Sequence, residues 1–143
     1  MAQRKKTSLS DAEIEKAVDL ERRLIEAFRE KDVDAAMRLF WNHPDAHLVM
    51  DGMVLKGPDE IRKWFESAFA ENESIKITVN DVHHVASGDG VIGVGTATYE
   101  FTPVSGPRRL MVERWSDLRR KIDGSWVMVL DHATSIEHKE LED

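Results

Sequence analysis

The fold is decided by residues 108–136, RRLMVERWSDLRRKIDGSWVMVLDHATSI. Two long segments rich in apolar residues flank the Asp123-Gly124 pair, which is a strong signal for a hairpin turn. Strands of this length and composition need cover on both faces, yet carboxylates occur inside both of them. Because this stretch follows a first third with a helical pattern, it predicts a curved sheet that closes around a pocket.

The first half of the chain carries helical signals. A capping-box pattern at residues 10–13, followed by apolar residues at helical spacing, predicts a helix over residues 10–30. Asp32 is placed to cap a short second helix, and Gly57-Pro58 opens a third. We therefore expect three helices, the first two of which form a helical hairpin.

Strand signals occupy the rest of the chain. Residues 46–55, with a turn at Asp51-Gly52, predict a small hairpin between the second and third helices. From Ile75 the apolar period changes to two, and turns at residues 87–90 and 102–107 separate the segments that lead to the final hairpin. The second half is therefore predicted to be an antiparallel meander of about four strands.

Length and charge bound the class of protein. The 143 residues fit one domain over residues 10–136, with a flexible basic tail at residues 1–9 and a C-terminal tail at residues 137–143. The net charge of −7 becomes −10 when Arg4, Lys5 and Lys6 of the tail are set aside, because 17 basic residues then face 27 acidic ones. Such a surface repels phosphate backbones, so nucleic-acid binding is not expected.

Targeting and redox features narrow the class further. The sequence has no run of about 18 apolar residues, so no membrane span is expected, and its first ten residues lack the apolar core of a signal peptide. Cysteine is absent, which removes disulfides, thiolate nucleophiles and cysteine-ligated metals. We expect a soluble, cytoplasmic protein.

Candidate chemistry lies on alternate positions of the first long strand. Glu113, Trp115 and Asp117 share one face, so a carboxylate lies roughly 6–7 Å from the indole on each side. Facing a cavity, this row would suit acid/base chemistry or would hold a cation or hydroxyl groups. The alternative is structural pairing of the carboxylates with neighbouring arginines, namely Arg108, Arg109, Arg114, Arg119 and Arg120.

The last strand offers one more candidate. Asp131 follows Val127 and Val129 on alternate positions, whereas His132 points to the opposite face. A carboxyl group at the end of an apolar row inside a cavity would have a raised pKa and would suit a general base. The alternative is a partly exposed, hydrogen-bonded aspartate near the edge of the sheet.

Small residues mark the strand before the final hairpin. Gly93, Gly95 and Ala97 occupy alternate positions ahead of Tyr99. One interpretation is that a bend or a helix packs against bare backbone there, and the other is that the row leaves room for a ligand.

Other classes of site lack the necessary residues. His43 and His47 are four apart, but Pro44 spoils the helical spacing that would let both bind a metal, and the neighbours His83-His84 point to opposite faces. The sequence has no Gly-x-Ser-x-Gly motif, and Gly93-x-Gly95 lies within a predicted strand rather than between a strand and a helix. We expect neither a metal nor a cofactor.

Three segments together with the order of the elements resemble the NTF2-like superfamily, and within it the SnoaL-like and ketosteroid-isomerase-like branch, which includes calcium/calmodulin-kinase-II-association-type domains. These segments are AFREKDVDA at residues 27–35, DGMVLKGPDEI at residues 51–61 and DGSWVMVLDHATS at residues 123–135. The resemblance implies an α+β, cystatin-like cone in which three N-terminal helices pack on a strongly curved, mostly antiparallel sheet around a pocket. It also implies a homodimer.

The resemblance carries over to few catalytic positions. The tyrosine of the isomerases would fall near Leu24 and their general-base aspartate near Met50, so both of those roles are vacant. Glu113 corresponds to their oxyanion-hole acid, and Asp131 resembles the late-strand acid/base aspartate of polyketide cyclases.

The sequence therefore predicts a pocket for a small, partly apolar carbonyl compound. Asp131 and Glu113 are the candidates for isomerase, cyclase or hydrolase-like acid/base catalysis without a cofactor. The ligand is expected to contact Trp115, Asp117, Tyr99, Met50, Leu24 and Val129. The alternative is a non-catalytic module for dimerisation or ligand sensing, in which the carboxylates are structural.

Overall fold

A computed structural model describes residues 3–142 of the chain. Its elements, in chain order, are β1 (Gln3–Thr7), α1 (Asp11–Val18), α2 (Leu20–Glu30), α3 (Val33–Met37), β2 (His47–Met50), β3 (Met53–Lys56), α4 (Pro58–Glu71), β4 (Asn72–Gly88), β5 (Gly90–Pro103), β6 (Arg109–Ile122) and β7 (Ser125–Glu140). The strands form one curled, unclosed sheet in the order β1-β4-β5-β6-β7-β2-β3. This architecture confirms the expected α+β, cystatin-like fold.

The predicted meander is the centre of the sheet. Strands β4 to β7 pair as antiparallel neighbours in sequence order. The β2–β3 hairpin extends the sheet because β2 pairs in parallel with β7, and β1 pairs in parallel with β4 at the other edge. The sheet is therefore mixed, with long strands at its centre and short strands at both edges.

An aromatic cluster joins the helices to the sheet. Phe28 of α2 lies between Phe65 and Phe69 of α4, with ring centroids 5.6 and 5.3 Å away, and Tyr99 of β5 lies 5.9 Å from it. All three pairs meet edge to face, an arrangement that aromatic rings prefer. The cluster fixes the position of both long helices over the sheet and supplies one wall of the cavity described below.

The predicted helix over residues 10–30 is interrupted at Asp19, which separates α1 from α2. The guanidinium of Arg119 lies beside this break and donates hydrogen bonds from Nη1 to the carbonyl oxygens of Ala17, at 2.8 Å, and Val18, at 3.4 Å. A side chain that takes helix carbonyls in this way is a known cause of a local kink. No helix within residues 3–142 is long and apolar enough to cross a membrane.

The two predicted tails contain strand. Residues 3–7 form β1, which pairs with residues 85–88 of β4, and the Thr7 hydroxyl donates to the Gly88 carbonyl at 2.6 Å. The segment covers an edge of β4 that would otherwise expose unpaired backbone groups. At the other end β7 continues to Glu140, so residues 137–140 of the predicted C-terminal tail are strand. Met1, Ala2 and Asp143 lie outside the described residues.

A bulge in β7 changes which of its side chains face inward. Leu118 of β6 pairs with Leu130, but the next residue, Arg119, pairs with Met128. Val129 is therefore an extra residue in β7, and the alternation of faces shifts by one position at that point. As a result Met128 and Asp131, which are three residues apart, lie on the same face.

Candidate active site

The cavity lies between the helices and the inward face of the sheet, and it has two adjoining chambers. The larger chamber has a volume of about 220 Å³ and the smaller one a volume of about 50 Å³. Leu24, Tyr99, Glu113 and Asp131 line both chambers, so the chambers meet at these four side chains. The inward row of β6 supplies much of the polar lining of both.

The larger chamber is mostly apolar and aromatic. Its apolar wall includes Phe28, Leu48, Met50, Trp64, Phe65 and Phe101. Besides Tyr99, Glu113 and Asp131, its lining contains the charged residues Asp51 and Arg109. Sites of this composition bury the apolar body of a small molecule and use a few polar groups to orient it.

Glu113 is nearly buried where the two chambers meet. Burial raises its pKa to about 7, and the charge of Asp51 acts in the same direction. The nearby Tyr99 hydroxyl opposes both effects, since a hydroxyl that donates to a carboxylate stabilises the ionised form. No basic side chain of the described residues lies within ion-pair distance of Glu113, so both protonation states are populated near neutral pH.

Asp131 is half-buried and lines both chambers on the neighbouring strand. Burial raises its pKa well above the ordinary value, and the charges of Asp117 and Glu113 raise it further. Arg119 acts in the opposite direction but does not contact Asp131 directly. Within the described residues Asp131 has no hydrogen-bond or ion-pair partner, so its protonated form is favoured more than that of an ordinary aspartate, and that form can donate a hydrogen bond into the cavity.

The smaller chamber is bordered by a buried ionic network. The guanidinium of Arg119, which is fully buried, donates to both carboxylate oxygens of Asp117, at 2.8 and 3.0 Å, and to Oε1 of Glu21 at 2.6 Å. Burial lowers the pKa of Arg119, but the bonds to Asp117 and Glu21 outweigh it, so the net pKa is raised. Asp117 is therefore held in a bidentate structural pair.

Glu21 connects this network to a buried histidine. Nε2 of His84, on β4, lies 2.5 Å from Oε1 of Glu21. Burial raises the pKa of Glu21, but the hydrogen bond from His84 and the charge of Arg119 outweigh it and keep the pKa below its ordinary value. Because an ionised carboxylate can only accept hydrogen bonds, Nε2 is the donor.

The small residues of β5 make room for the side chains of β6. A methyl group added at Gly95 would lie 2.7 Å from the Trp115 ring, and one at Gly93 would lie 2.6 Å from Nη2 of Arg119 and 2.8 Å from Oδ1 of Asp117. These separations are far below van der Waals contact. The bare backbone is therefore covered by side chains of the neighbouring strand, and neither a helix nor a ligand fills the space next to these glycines.

The structure brings most of the predicted residues to the cavity. Leu24, Tyr99, Glu113 and Asp131 line both chambers, Met50 lines the larger one, and Trp115 and Asp117 line the smaller one. Val129 lines neither, because the bulge places Met128 in the row of Asp131 instead. Of the arginine partners considered from sequence, Arg119 is the one that binds Asp117.

Three residues beside the cavity were not predicted from the sequence as part of the site, namely Glu21, His84 and Arg119. A signal was present for Glu21, because it lies four residues after Ala17 and three before Leu24, within the apolar stripe of the helix. Arg119 continues the alternate row of Glu113 and Asp117 by one more step. His84 had no comparable signal, since its partner comes from a distant helix.

The raised pKa of Glu113 makes a testable contribution to stability. A carboxyl whose pKa is raised by folding holds its proton in the native state at a pH where the unfolded chain has lost it, so stability falls as pH rises from about 4.5 to about 7. From about pH 5 to about pH 8, wild type should lose about 2–3 kcal/mol of unfolding free energy relative to Glu113→Gln. Urea unfolding at both pH values measures this difference, and a constant difference would contradict the assignment.

Metal ligands are not assembled at this site. Within the part of the chain that the structure describes, no group of three or more His, Asp or Glu side chains is arranged to hold a metal ion.

Comparisons with known proteins agree with this architecture. The sequence profile of the SnoaL-like domain matches residues 22–129. A solved hexachlorocyclohexane dehydrochlorinase of type 2 is 16% identical with a TM-score of 0.80, over 92% of this chain and 90% of that one. A candidate scytalone dehydratase from Novosphingobium aromaticivorans is 10% identical with a TM-score of 0.82, over 92% and 89%.

A further solved structure carries the superfamily name itself. An NTF2-like superfamily protein from Salmonella enterica is 13% identical with a TM-score of 0.76, over 82% of this chain and 86% of that one. At these identities the solved structures establish the fold alone. No curated protein matches the chain in sequence.

Proposed function

The chain belongs to the SnoaL-like domain family, and we propose that it binds a small, partly apolar carbonyl compound and moves a proton at the carbon next to the carbonyl group. The proposal rests on the position and the raised pKa values of two carboxyl groups. Glu113 and Asp131 line both chambers, have no basic partner within the described residues and have raised pKa values. Perturbed carboxyls in an apolar cavity are typical of acid/base sites.

The chemical step assigns one role to each carboxyl. Ionised Glu113 removes a proton from the carbon next to the carbonyl group, and the electron pair of the broken C–H bond delocalises to the carbonyl oxygen. Protonated Asp131 donates a hydrogen bond to that developing enolate oxygen. Glu113 then delivers this proton to a conjugated carbon, which gives isomerisation, or first exchanges it with solvent and protonates the original carbon, which gives exchange. Ketosteroid isomerase is the established example of a carboxylate base paired with a neutral carboxylic acid donor.

These roles are the reverse of those that the sequence indicated. Asp131 was the expected base and Glu113 the expected acid. Because Asp131 has no hydrogen-bond or ion-pair partner within the described residues, and burial raises its pKa, it suits the neutral donor. Glu113 has the Tyr99 hydroxyl to stabilise the ionised form, and its pKa of about 7 matches the optimum for a general base at neutral pH.

The rest of the cavity supports a substrate with an apolar body. Aromatic side chains dominate the wall of the larger chamber, and its volume of about 220 Å³ suits a small ring system. Two structural neighbours are named a dehydrochlorinase and a dehydratase, and both words denote eliminations. Elimination from carbon also requires loss of a proton, so the same base would serve that reaction class.

The alternative is a ligand-sensing module without catalysis. The Asp117–Arg119 pair favours it, because that carboxylate is engaged in a structural ion pair. Glu113 and Asp131 argue against it, since unpaired buried carboxyls cost stability and have no structural purpose here. We therefore favour the catalytic function over the ligand-sensing module.

Proton exchange on an uncharged bicyclic ketone tests the proposal directly. Wild-type protein is incubated with 2-tetralone in D₂O, and loss of the protons next to the carbonyl is followed by NMR. We expect exchange faster than in buffer, with a rate that saturates as the ketone concentration rises. Exchange no faster than with heat-inactivated protein, for 2-tetralone and for larger steroid-like ketones, would refute catalysis. A thermal shift with the same ketones would then support the ligand-sensing module.

We also propose that the partner of the outer sheet face is a second copy of the chain. Ile92, Leu118 and Leu130 are paired neighbours across β5, β6 and β7, and Ile92 and Leu130 remain 42% and 41% exposed. The adjacent outward residues Ser116 and His132 carry no negative charge, so two copies of this acidic protein can meet there without repulsion.

Light scattering after size-exclusion chromatography tests the dimer. We expect the wild-type protein to have twice the mass of one chain, and Leu130→Lys to have the mass of one chain, because a buried unpaired ammonium is costly. Val104→Lys is the matched control, since Val104 is 61% exposed in the loop before β6. A wild-type mass of one chain would refute the dimer.

A further inference from the structure

We infer that Arg109 binds a carboxylate of the ligand, so that the substrates of this site are cyclic or aromatic carbonyl compounds that also carry a carboxylate. This inference rests on the proposed function and specifies its substrate class. It starts from the charge balance of the larger chamber, where Arg109 is the single basic residue among the lining residues.

Arg109 differs from the other arginines whose side chains the structure describes, because it lies in a cavity wall without a carboxylate partner. Six arginines of the described residues form ion pairs with Asp or Glu, namely Arg22, Arg29, Arg62, Arg108, Arg119 and Arg120. Three more, Arg23, Arg38 and Arg114, have no such pair but are exposed to solvent. Arg109 alone combines a half-buried position, a cavity wall and no acidic partner within ion-pair distance in the described chain.

Two contacts position the guanidinium of Arg109 but leave most of its N–H donors without an acceptor in the described part of the chain. Its central carbon lies 5.2 Å from the centroid of the Phe101 ring, and its Nη1 lies 2.9 Å from Nε2 of His138. A guanidinium only donates, so Nε2 of His138 accepts. An arginine has five N–H donors, and one bond to His138 leaves a pair of donors available for a planar, bidentate acceptor such as a carboxylate.

The carboxylates that line the larger chamber do not form an ion pair with Arg109. Asp51 accepts hydrogen bonds from the backbone N–H of Ser135 at 2.8 Å and from its hydroxyl at 2.6 Å. Glu113 interacts instead with the Tyr99 hydroxyl, which lowers its pKa. Neither carboxylate lies within ion-pair distance of Arg109, so within the described residues no carboxylate competes with a ligand's carboxylate for this cation.

The position of Arg109 sets the separation between the two polar groups of the ligand. Arg109 and Glu113 lie on the same face of β6 and are four residues apart, which places their backbones about 13 Å from each other. Phe101 and Tyr99, whose rings are stacked with centroids 5.7 Å apart, line the wall between them. A flat ring system would lie along these rings, with its carboxylate at Arg109 and its carbonyl group toward Glu113 and Asp131.

Binding of 2-naphthoate and 2-naphthamide to the full chain tests this inference. The two probes share one ring system and differ in the charge of the group that would meet Arg109. Titration calorimetry near pH 6 should show wild type binding 2-naphthoate at least about tenfold more tightly than 2-naphthamide, since an ion pair replaces a neutral contact. In Arg109→Gln the preference should fall below about threefold, chiefly through weaker binding of 2-naphthoate.

Arg108→Gln is the matched control. Arg108 is adjacent in sequence, pairs with Glu100 at 3.8 Å and does not line either chamber, so the preference for 2-naphthoate should be kept. Equal binding of the two probes to wild type, or an unchanged preference in Arg109→Gln, would overturn the inference. Binding of neither probe would overturn it together with the ligand site. A preference that depends on Arg109, without any exchange of 2-tetralone, would support this inference and refute only the catalytic proposal.

Discussion

Replacing Glu113 with glutamine is expected to slow the protein-dependent exchange of 2-tetralone protons by about 10²- to 10⁴-fold, the contribution of a general base. Glutamine keeps the size of the side chain but cannot accept a proton near neutral pH. The pH profile of the wild-type rate should rise with an apparent pKa of about 7, because Glu113 must be ionised to act. NMR exchange rates at several pH values measure both effects.

Two substitutions of Asp131 distinguish a role as hydrogen-bond donor from a role as general base. If Asp131 donates a hydrogen bond to the enolate, Asp131→Asn keeps a donor and should lose about tenfold or less, whereas Asp131→Ala removes the donor and should lose about 10²- to 10³-fold. If Asp131 were the base, asparagine and alanine would be equally inactive. The ratio of the two rates therefore tests the reversal of roles between Asp131 and Glu113.

Glu137→Gln is the control for these substitutions. Glu137 lies on the same strand as Asp131 but is exposed and pairs with Lys139 at 3.7 Å. The Glu137→Gln protein should therefore exchange the protons of 2-tetralone at the wild-type rate. Each variant should also unfold cooperatively, which excludes loss of structure as the cause. An unchanged rate in both Glu113→Gln and Asp131→Ala would refute the assignment of the two carboxyls.

Local patterns were sufficient to predict the fold and one wall of the cavity. The row of Glu113, Trp115 and Asp117 follows from simple alternation along a strand, and the structure places all three on the inward face of β6. The two predicted N-caps are also present in the structure. The Ser10 side chain accepts a hydrogen bond from the backbone N–H of Glu13, and the Asp32 side chain accepts one from the backbone N–H of Ala35. These features depend on neighbours a few residues apart, which a sequence displays directly.

Features that depend on distant contacts were not predictable. The bulge at Val129 shifts the inward row of β7, and nothing in the local composition marks the extra residue. The strand at residues 3–7 exists because β4 offers an open edge, which is a property of the assembled sheet. The same reason explains why the partner of His84 was missed, because Glu21 reaches it from a helix 63 residues earlier.

Replacing Arg119 with methionine is expected to cause the largest loss of stability, about 3–5 kcal/mol. Methionine fills similar space but leaves the buried carboxylates of Asp117 and Glu21 without their cation, and the Ala17 carbonyl without its donor. Urea unfolding near neutral pH measures the change. The matched control is Arg120→Met, because Arg120 is exposed and its ion pair with Asp89 should be worth no more than about 1 kcal/mol.

The cause of that loss can be separated from simple loss of packing. If the unpaired charge of Asp117 is responsible, the double variant Arg119→Met/Asp117→Leu should be more stable than Arg119→Met alone, because a buried ion pair replaced by apolar groups is close to neutral. The Arg119→Met protein should also gain stability relative to wild type as pH falls, since Asp117 then takes up a proton that its buried position favours. A double variant no more stable than the single one, with no such pH dependence, would mean that Arg119 acts through packing. Arg119 would then stabilise the protein by packing beside the smaller chamber, and not by neutralising the charges of Asp117 and Glu21.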